Sequence, residues 1–591
     1  MNQNSPQYNY FFTNWKEIIF LVFLYSIFKI PINSIIVKYS SIVHSLQTIY
    51  AGHGLFKNFL LNADFTSTLA TPSNLGLIFT PGIFYLTSIL NSFSNIIIFT
   101  HFINVIFIVL FYLLIRKVSS RQLSIIFTIG IIFLSVNVQF FGPDYIAQPI
   151  MVGTLLLFFN NKETSNIQLI IIGFLCGFIF ILKQNFGIFF LVIIATAIFF
   201  RNLNIGNKFN LFSNFLISIY FLFGILFFLK SNFIFNYIFF LFPYFLFWSY
   251  ILFLTNGSLY LNNKRYIYNS FLLLLGFSII PIFTIISIGN SFGYEKYLYS
   301  IFGMGWDYVS FWEYSIVKLI SGLNYRNNNE IFISLTSLFP VLFPFIINLL
   351  TTFRIIYLKK NINENIEHLA ICSVGIISIF LFFPFEDFRI SNTKIFIYLF
   401  IFAYFFSYIK FYLSFYLLTS FFIFFIFLQS YYNLIIFYDS KKNYDFIGSN
   451  NFKKVLDLKV EPDLLNEIND INSFITKTTG NENFYLISQD INLVPFLLLN
   501  KKGKNQHYVR QDDIFMNKKL VSTIIKELSE TTYILSTKVE YDIFLNNKNN
   551  SKNKVKNFSN LFRYIDSNYY LYKELYTLKP KLSNLIIFKK K

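Results

Sequence analysis

Long apolar runs recur along the first 438 residues and rule out an ordinary soluble fold. A membrane-spanning helix needs about 20 mainly apolar residues, and only helices or closed barrels can cross a bilayer. The chain therefore predicts a mostly α-helical, polytopic transmembrane bundle with about 13 spans. The runs lie near 17–32, 82–115, 122–137, 148–160, 166–182, 185–200, 211–229, 232–254, 266–288, 331–353, 367–385, 394–409 and 411–437.

The charge balance fits membrane insertion better than nucleic-acid binding. The formal net charge is +19, but charged residues make up only 13% of the chain. Much of the basic surplus lies in short loops between apolar runs, where Lys and Arg orient helices. We therefore expect membrane lipids as partners and no nucleic acid. The two cysteines, Cys176 and Cys372, lie inside apolar runs. They offer no disulfide framework, and with only five histidines a His/Cys metal cluster is not expected.

The alternation of basic loops predicts the topology. The first run, 17–32, has no small-residue cleavage site, so it is expected to stay as a membrane helix. With the N-terminus inside, basic groups such as Arg116 to Arg121 and Arg354 to Lys360 fall on the inner side. An odd number of spans places the C-terminus outside. The prediction is an integral, multi-pass protein of the plasma or inner membrane.

Two regions differ sharply in composition. Residues 1–438 form the membrane region, with long external segments at 33–81 and 289–330. Residues 439–591 are rich in Lys, Asn and Asp and predict an extracytoplasmic α/β domain. Its expected elements are helices at 463–478 and 517–530 and strands at 484–488, 533–537, 571–575 and 585–588, with a solvated loop at 546–554.

Two polar positions interrupt the apolar runs at their predicted outer ends. Asp144 follows Gly-Pro and can occupy the first turn of the next helix, where the helix dipole favours a carboxylate. A simple helix cap without chemistry is the alternative. Lys183, next to Gln184, can hold a phosphate as a point charge or can mark the membrane interface by snorkelling.

Further candidates lie in two predicted external segments. Arg389 follows Glu386 and Asp387, and its guanidinium could clamp a phosphate or belong to a local ion-paired loop. The first external segment carries the titratable residues His44, His53 and Asp64, and a single residue of this kind is more often structural than catalytic. The sequence contains no nucleotide-binding loop, dinucleotide fingerprint, GxSxG or HExxH motif, so ATP-driven transport by this chain alone is not expected.

Three short motifs and the overall layout resemble one enzyme superfamily. GPDYIAQP around Asp144, ILKQNFG around Lys183 and FRISNTK around Arg389 are similar to segments of the GT-C membrane glycosyltransferases. The closer similarity is to the branch that contains protein O-mannosyltransferases and lipid A aminoarabinose transferases. The resemblance places Asp144 at the family's second acidic position, Lys183 in its lysine-containing segment and Arg389 in the basic stretch before a late helix.

The resemblance implies transfer of a sugar from a polyprenyl-phosphate-linked donor to a lipid, glycan or protein acceptor on the outer side. Lys183 and Arg389 would stabilise the departing phosphate, with Glu386 and Asp387 as acidic support. The family usually has an acidic residue early in the first external loop, and this chain has none there. His44 or Asp64 could replace it as the catalytic base.

The same gap leaves the cofactor question open. No cofactor is certain, and a divalent metal is possible. Two rival functions are a flippase or transporter of lipid-linked saccharides and a polymerase or ligase of surface polysaccharide. A transporter would need charges along a path through the bilayer, whereas the notable charges here cluster at predicted outer ends.

Overall fold

A computed structural model describes the membrane region in long stretches and the tail in shorter ones. In the membrane region it covers 14–35, 93–134, 143–161, 163–206, 210–230, 234–292, 328–357, 366–382 and 395–406, together with isolated positions such as Gly82. In the tail it covers 445–446, 459–460, 473–480, 484–487, 507–509, 518–538, 553–575 and 585–591, together with a few isolated positions.

The described membrane region is a bundle of helices. They are α1 Trp15–Ile35, α2 Phe93–Val118, α3 Arg121–Leu134, α4 Pro143–Asn160, α5 Asn166–Leu182, α6 Gln184–Arg201, α7 Leu211–Lys230, α8 Ile234–Gly257, α9 Asn263–Phe292, α10 Asn328–Tyr357, α11 Ile366–Ser378 and α12 Ile395–Phe406. A tight 3₁₀ turn, Ile379–Phe382, continues α11.

A helix lies at each of the first twelve predicted positions. For the second, 82–115, the continuous described helix begins at Phe93, and the isolated described positions 82, 86 and 89 are helical as well. The run 411–437 lies outside the described residues, so the count of about 13 spans stays a prediction. The predicted external segment 289–330 is shortened at both ends, since α9 continues to Phe292 and α10 begins at Asn328.

Length and surface chemistry identify a multi-pass membrane protein. Among the described residues, five helices are long and apolar enough to cross a bilayer. Their outward faces carry exposed aliphatic and aromatic side chains, as on α7 at Phe215, Ile219, Leu222 and Leu226. Spacing of three to four residues puts these side chains on one helix face. That face is suited to contact lipid rather than water.

Glycines bring α5 and α9 into backbone contact. Gly173 and Gly177 form a GxxxG pair on α5, and Gly276 lies on the facing surface of α9. A Cβ built on Gly177 would lie 2.5 Å from the carbonyl oxygen of Phe277. In membranes small residues of this kind let helices approach closely, and dispersion contacts then hold the pair together. The two helices pack along much of their length.

Aromatic residues fill the core between α6, α7 and α8. Trp248 of α8 stacks on Tyr220 of α7 with ring centroids 4.2 Å apart and planes within 9°. The Tyr244 hydroxyl donates to the Tyr220 carbonyl at 2.5 Å. The Thr196 hydroxyl of α6 donates to the Tyr220 hydroxyl at 2.7 Å. The high aromatic content therefore serves packing, and buried hydroxyls are satisfied within it. Cys176 and Cys372 are buried free thiols, as the sequence predicts.

Two short strands join separate parts of the bundle. β1, Leu203–Ile205, follows α6, and β2, Leu259–Leu261, follows α8. They pair antiparallel with Leu203 opposite Leu261. The linkers before α7 and before α9 are therefore held side by side.

The tail contains a five-stranded mixed sheet. The strands are β3 Asp445–Phe446, β4 Lys459–Val460, β5 Phe484–Ile487, β6 His507–Val509, β7 Tyr533–Thr537, β8 Tyr569–Leu575 and β9 Leu585–Lys590. The sheet order is β6-β5-β7-β9-β8, whereas β3 and β4 form a separate pair. β5 runs parallel to β6 and β7, and β9 runs antiparallel to β7 and β8.

Two helices cover one face of this sheet. They are α13, Lys518–Leu528, and α14, Asn553–Asn568. Side chains from the sheet and both helices form one buried cluster that includes Tyr485, Ile524, Phe562 and Ile586. The tail therefore has a hydrophobic core of its own.

The tail elements agree with the sequence in part. Strands at 484–487, 533–537, 569–575 and 585–590 and the helix at 518–528 lie where the pattern predicts them. Helical residues 473–479 overlap the end of the predicted 463–478 helix, whose first ten residues are outside the described part. Helix α14 was not expected. The boundary of the tail with the membrane region and its position outside the membrane stay predictions.

Candidate functional site

Polar and charged residues gather at one end of the bundle, which we call the charged face. There Glu17 of α1 pairs with Arg121 of α3, and Lys117 of α2 donates to Asn160 of α4 at 2.7 Å. Arg265 of α9 pairs with Glu163 at 3.1 Å. Arg354 of α10 donates to the carbonyl oxygen of Phe405 in α12 at 3.1 Å. Among α1 to α12, the odd-numbered helices begin at this end and the even-numbered helices finish there, so neighbouring helices in the chain alternate in direction.

Arg201 joins three helices at the charged face. It lies at the end of α6, and its Nε and Nη2 donate to the two carboxylate oxygens of Glu367 in α11 at 3.1 and 2.5 Å. Its Nη1 donates to the Phe158 carbonyl of α4 at 2.9 Å. The guanidinium also lies 4.2 Å from the centroid of the Phe158 ring. This bidentate and stacked arrangement uses the planar geometry of arginine.

The other end of the bundle, which we call the opposite face, lies at a distance from the charged face that follows from the helix lengths. With a rise of 1.5 Å per residue, Asp144 lies about 24 Å along α4 from Asn160. Lys183 lies about 27 Å along α6 from Arg201 by the same measure. Residues 366–382, a helix followed by a tighter turn, extend about 26 Å. Three helix ends thus reach the opposite face at nearly the same height, about one hydrocarbon thickness away.

These helix ends belong to neighbouring helices. α4 packs on α5, α5 on α6, and α6 on α11. Near the opposite face, the Phe189 ring of α6 lies 6.2 Å from that of Phe380 in the turn after α11. Asp144, Lys183 and the end of α11 are therefore carried by adjacent elements at one end of the bundle.

Asp144 occupies the second position of α4, which begins at Pro143. The sequence expectation that it enters the first turn of this helix agrees with the backbone. Its side chain is outside the described part. Pro149, in the second turn, has no N–H, so the carbonyl of Tyr145 cannot form the usual helical hydrogen bond. The first turn of α4 is therefore less constrained than an ordinary helix start.

Lys183 separates α5 from α6. Its backbone is extended, with φ −151° and ψ 110°, and it caps the end of one helix and the start of the next. Its N–H donates to the Ile179 carbonyl at 2.8 Å, and its carbonyl accepts from the Gly187 N–H at 3.1 Å. The half-buried side chain places its ammonium 4.5 Å from the centroid of the Phe186 ring. We call this arrangement the Lys183 break.

Two glycines allow the Lys183 break to close tightly. A Cβ on Gly187 would fall well inside van der Waals distance of the Phe180 backbone. A Cβ on Gly82, which follows the first external segment, would lie 2.6 Å from the Ile181 carbonyl oxygen. The chain leaving that segment is therefore in contact with the last turn of α5. Phe180 and Ile181 form a small separate core with α9 below this point.

The remaining predicted site residues fall outside the described part of the chain. Glu386, Asp387 and Arg389 belong to 383–394, which joins the turn after α11 to α12. His44 and Asp64 belong to the first external segment, whose far end is marked by Gly82. For these five residues only the flanking elements are positioned, and their roles stay predictions.

Two polar features in the bundle were missed from sequence. Gln148 is 3% exposed and follows Asp144 by one helical turn. The buried Tyr25 hydroxyl of α1 lies 3.0 Å from Nδ1 of His101 and accepts from Asn104 of α2 at 3.1 Å. The sequence signal that could have revealed both features is the presence of polar residues inside apolar runs. The second cluster joins α1 to α2, so we take it as a packing contact.

No metal centre is formed by the described residues. Within that part of the chain, no three His, Cys, Asp or Glu side chains come together in a way that could hold an ion. The acidic candidates Asp64, Glu386 and Asp387 are outside it.

Comparison with known proteins gives a distant structural likeness. No protein-family model matches the chain, and no curated protein sequence matches it. Three crystal structures of the Archaeoglobus fulgidus oligosaccharyltransferase are similar in structure. The form tethered to an acceptor peptide containing the NVT sequon has 12% identity and a TM-score of 0.47, over 98% of this chain and 74% of that one.

The other two structures give similar values. The complex with Zn and sulfate has 11% identity, a TM-score of 0.45, and coverage of 96% of this chain and 72% of that one. The apo form has 11% identity and a TM-score of 0.45, over 96% and 74% of the two chains. At TM-scores below 0.5, this likeness does not by itself assign an activity to the chain.

Proposed function

We propose that this chain is an integral membrane glycosyltransferase of the GT-C type, working at the opposite face of the bundle. It would take a sugar from a polyprenyl-phosphate-linked donor and transfer it to a lipid, glycan or protein acceptor. The observation that carries the proposal is the Lys183 break. It holds a half-buried lysine between two membrane helices, at the same height as the start of α4 with Asp144.

The reaction needs positive charge where the phosphate departs. The acceptor hydroxyl or amine would attack the anomeric carbon, while the bond from that carbon to the phosphate oxygen breaks. The phosphate leaves with the bonding electron pair, and its growing negative charge is stabilised by the Lys183 ammonium. A cation fixed at the membrane surface is suited to this role, because the donor's lipid tail remains among the apolar helices.

The reaction also needs a group that removes the acceptor's proton. Asp144 is our candidate, either as the base itself or as the group that orients the base. His44 and Asp64 are the alternatives from the first external segment. Gly82 supports their inclusion, because it brings the end of that segment to the Lys183 break. Arg389 would add a second phosphate contact, with Glu386 and Asp387 orienting it.

The proposed orientation puts the charged face inside and the opposite face outside, in the plasma or inner membrane. The basic residues at the charged face support this direction. The tail would then be extracytoplasmic and would assist acceptor binding. Its separate hydrophobic core supports a distinct folded unit.

Transfer can be tested directly with purified protein in lipid nanodiscs. We expect label to move from a polyprenyl phosphate sugar to one member of a panel of lipid, glycan and peptide acceptors. Asp144→Asn should lower turnover by about 10²-fold or more. Lys183→Ala should also lower turnover, because the departing phosphate loses its cation. Lys264→Ala is the matched control, since it removes the same charge from an exposed position at the charged face and should leave transfer unchanged.

Two outcomes would contradict parts of the proposal, and a third would show whether a metal takes part. Normal transfer by Asp144→Asn at an unchanged protein level would remove Asp144 from the mechanism. Movement of an intact lipid-linked sugar across proteoliposomes, without transfer to any acceptor, would favour a flippase. Loss of transfer on chelation, restored by a divalent ion, would establish a metal requirement.

A further inference from the structure

Strand β8 of the tail exposes three consecutive large hydrophobic side chains. Tyr570 is 44%, Leu571 47% and Tyr572 38% exposed. Among the described tail residues, these are the exposed large hydrophobic positions. β8 lies at the end of the sheet order, paired with β9. The pairing register shifts between Leu571 and Lys573, so Tyr572 lies at a bulge.

Lysines surround the exposed rings. Lys589 of β9 lies opposite both Tyr570 of β8 and Tyr533 of β7. Its ammonium is 5.2 Å from the centroid of the Tyr572 ring and 5.5 Å from that of Tyr533. Lys573 places its ammonium 5.6 Å from the Tyr572 ring. The edge therefore combines apolar rings with two cations held beside them.

We infer that β8 docks the tail onto the anionic lipid surface of the bilayer that holds the helices. Tyr570, Leu571 and Tyr572 would lie at the headgroup level, and Lys573 and Lys589 would contact lipid phosphates. The inference is independent of the proposed catalytic activity. We call this set of five residues the β8 patch.

The chemistry of the β8 patch matches a membrane interface. Tyrosine is enriched where membrane meets water, because its ring is apolar and its hydroxyl is polar. Basic residues beside such rings add attraction to anionic lipids. An edge exposing hydrophobic residues is otherwise a site for unwanted pairing between chains, so a native protein usually covers it.

The covalent link between the tail and the membrane helices keeps the bilayer surface close to the β8 patch. The tail is covalently joined to membrane helices, so a bilayer surface is always near it at a high effective concentration. Weak individual contacts, such as exposed tyrosines and two lysines, are sufficient under that condition. A free soluble partner would have to bind through the same small patch without this advantage.

The test uses the full chain in nanodiscs of two compositions, phosphatidylcholine alone and an equal mixture with phosphatidylglycerol. A single cysteine at Tyr570→Cys carries an environment-sensitive fluorophore. Cys176 and Cys372 are buried in the bundle and should remain unlabelled. Asn560→Cys, at an exposed position on α14, is the matched control.

We expect the fluorescence emission of the probe at 570 to be blue-shifted relative to that of the probe at 560. Nitroxide lipid labelled at the headgroup should quench the fluorescence at 570 severalfold more than that at 560. The quenching should be stronger in the anionic nanodiscs, and Lys573→Glu or Lys589→Glu should weaken it there. Use of both lysine variants guards against a folding defect in one. Equal responses at 570 and 560 would overturn the inference. Protection at 570 only when a soluble peptide or glycan is added would also overturn it.

Discussion

Gly177 of α5 lies directly against the carbonyl of Phe277 in α9, with no room between them for a methyl group. A Cβ on Gly177 would be 2.5 Å from that oxygen and 3.1 Å from Cδ of Pro281. Neither partner is the free end of a flexible side chain. The two helices must therefore separate if Gly177 gains a side chain, and the small core beneath the Lys183 break depends on the same pair of helices.

We predict that Gly177→Ala destabilises the bundle by about 1–3 kcal/mol, the usual cost of overpacking. Thermal unfolding of the detergent-solubilised protein measures the effect. Gly153→Ala on α4 is the control, because a Cβ there would be 3.5 Å from Cδ1 of Leu110, an ordinary contact. A melting temperature for Gly177→Ala equal to that of Gly153→Ala would contradict the close packing.

Glu367→Gln is expected to cost more than the same change at Glu163. Arg201 is 9% exposed and would lose a charged, bidentate partner, although the 37% exposure of Glu367 lets solvent screen the pair. We expect a loss of about 1–3 kcal/mol, below the full cost of breaking a deeply buried pair. Glu163, 79% exposed, pairs with an exposed Arg265, so Glu163→Gln should cost less than about 1 kcal/mol. Chemical denaturation of both variants measures the difference, and equal losses would refute it.

Gly187→Ala should lower sugar transfer without touching any proposed catalytic group. The added methyl would meet the Phe180 backbone, so the start of α6 would shift and carry the Lys183 side chain with it. We expect the turnover number to fall while the protein still inserts, as judged by size-exclusion chromatography. Gly153→Ala again serves as the control. Full activity in Gly187→Ala would show that the Lys183 break need not be closed for catalysis.

Cysteine labelling in intact cells should report the direction of the bundle. Native Cys176 and Cys372 are buried, so an impermeant maleimide should react only with an introduced thiol. Glu163→Cys, at the charged face, should react only after the membrane is permeabilised. Asn560→Cys in the tail should react in intact cells. The reverse pattern would place the charged face outside, contrary to the proposed topology.

The helix positions in the membrane region could be predicted from sequence, because a span must hydrogen-bond its own backbone N–H and C=O groups and keep its apolar run out of water. The second predicted span, 82–115, is described only in part before Phe93. Apolar sequence begins near 82. Gly82, Leu86 and Ile89 are helical, and the continuous described helix begins at Phe93.

Interhelical contacts could not be obtained from the same patterns. From sequence, basic residues at helix ends predicted only the direction of each helix across the membrane. In the structure Arg201 also joins α4, α6 and α11 through specific hydrogen bonds. Helix α14 was missed because its average hydrophobicity is low. Its buried Leu561, Phe562 and Ile565 have helical spacing, but the Asn- and Lys-rich stretch before them suggested a loop. For the candidate site, sequence placed Asp144 at a helix start and Lys183 between two helices, and the backbone agrees with both.

The pairing of β1 with β2 has a consequence for assembly. Leu203 before α7 and Leu261 after α8 are direct neighbours across this small ladder. The chain therefore enters the hairpin formed by α7 and α8, and returns from it, at nearly the same point. Because β2 follows α8 in the chain, this ladder can form only after both helices of the hairpin have been synthesised. The ladder fixes only the base of the hairpin, because Tyr220 and Trp248 of the hairpin also pack in the aromatic core beside α6, so deleting the hairpin is expected to leave that core unfilled.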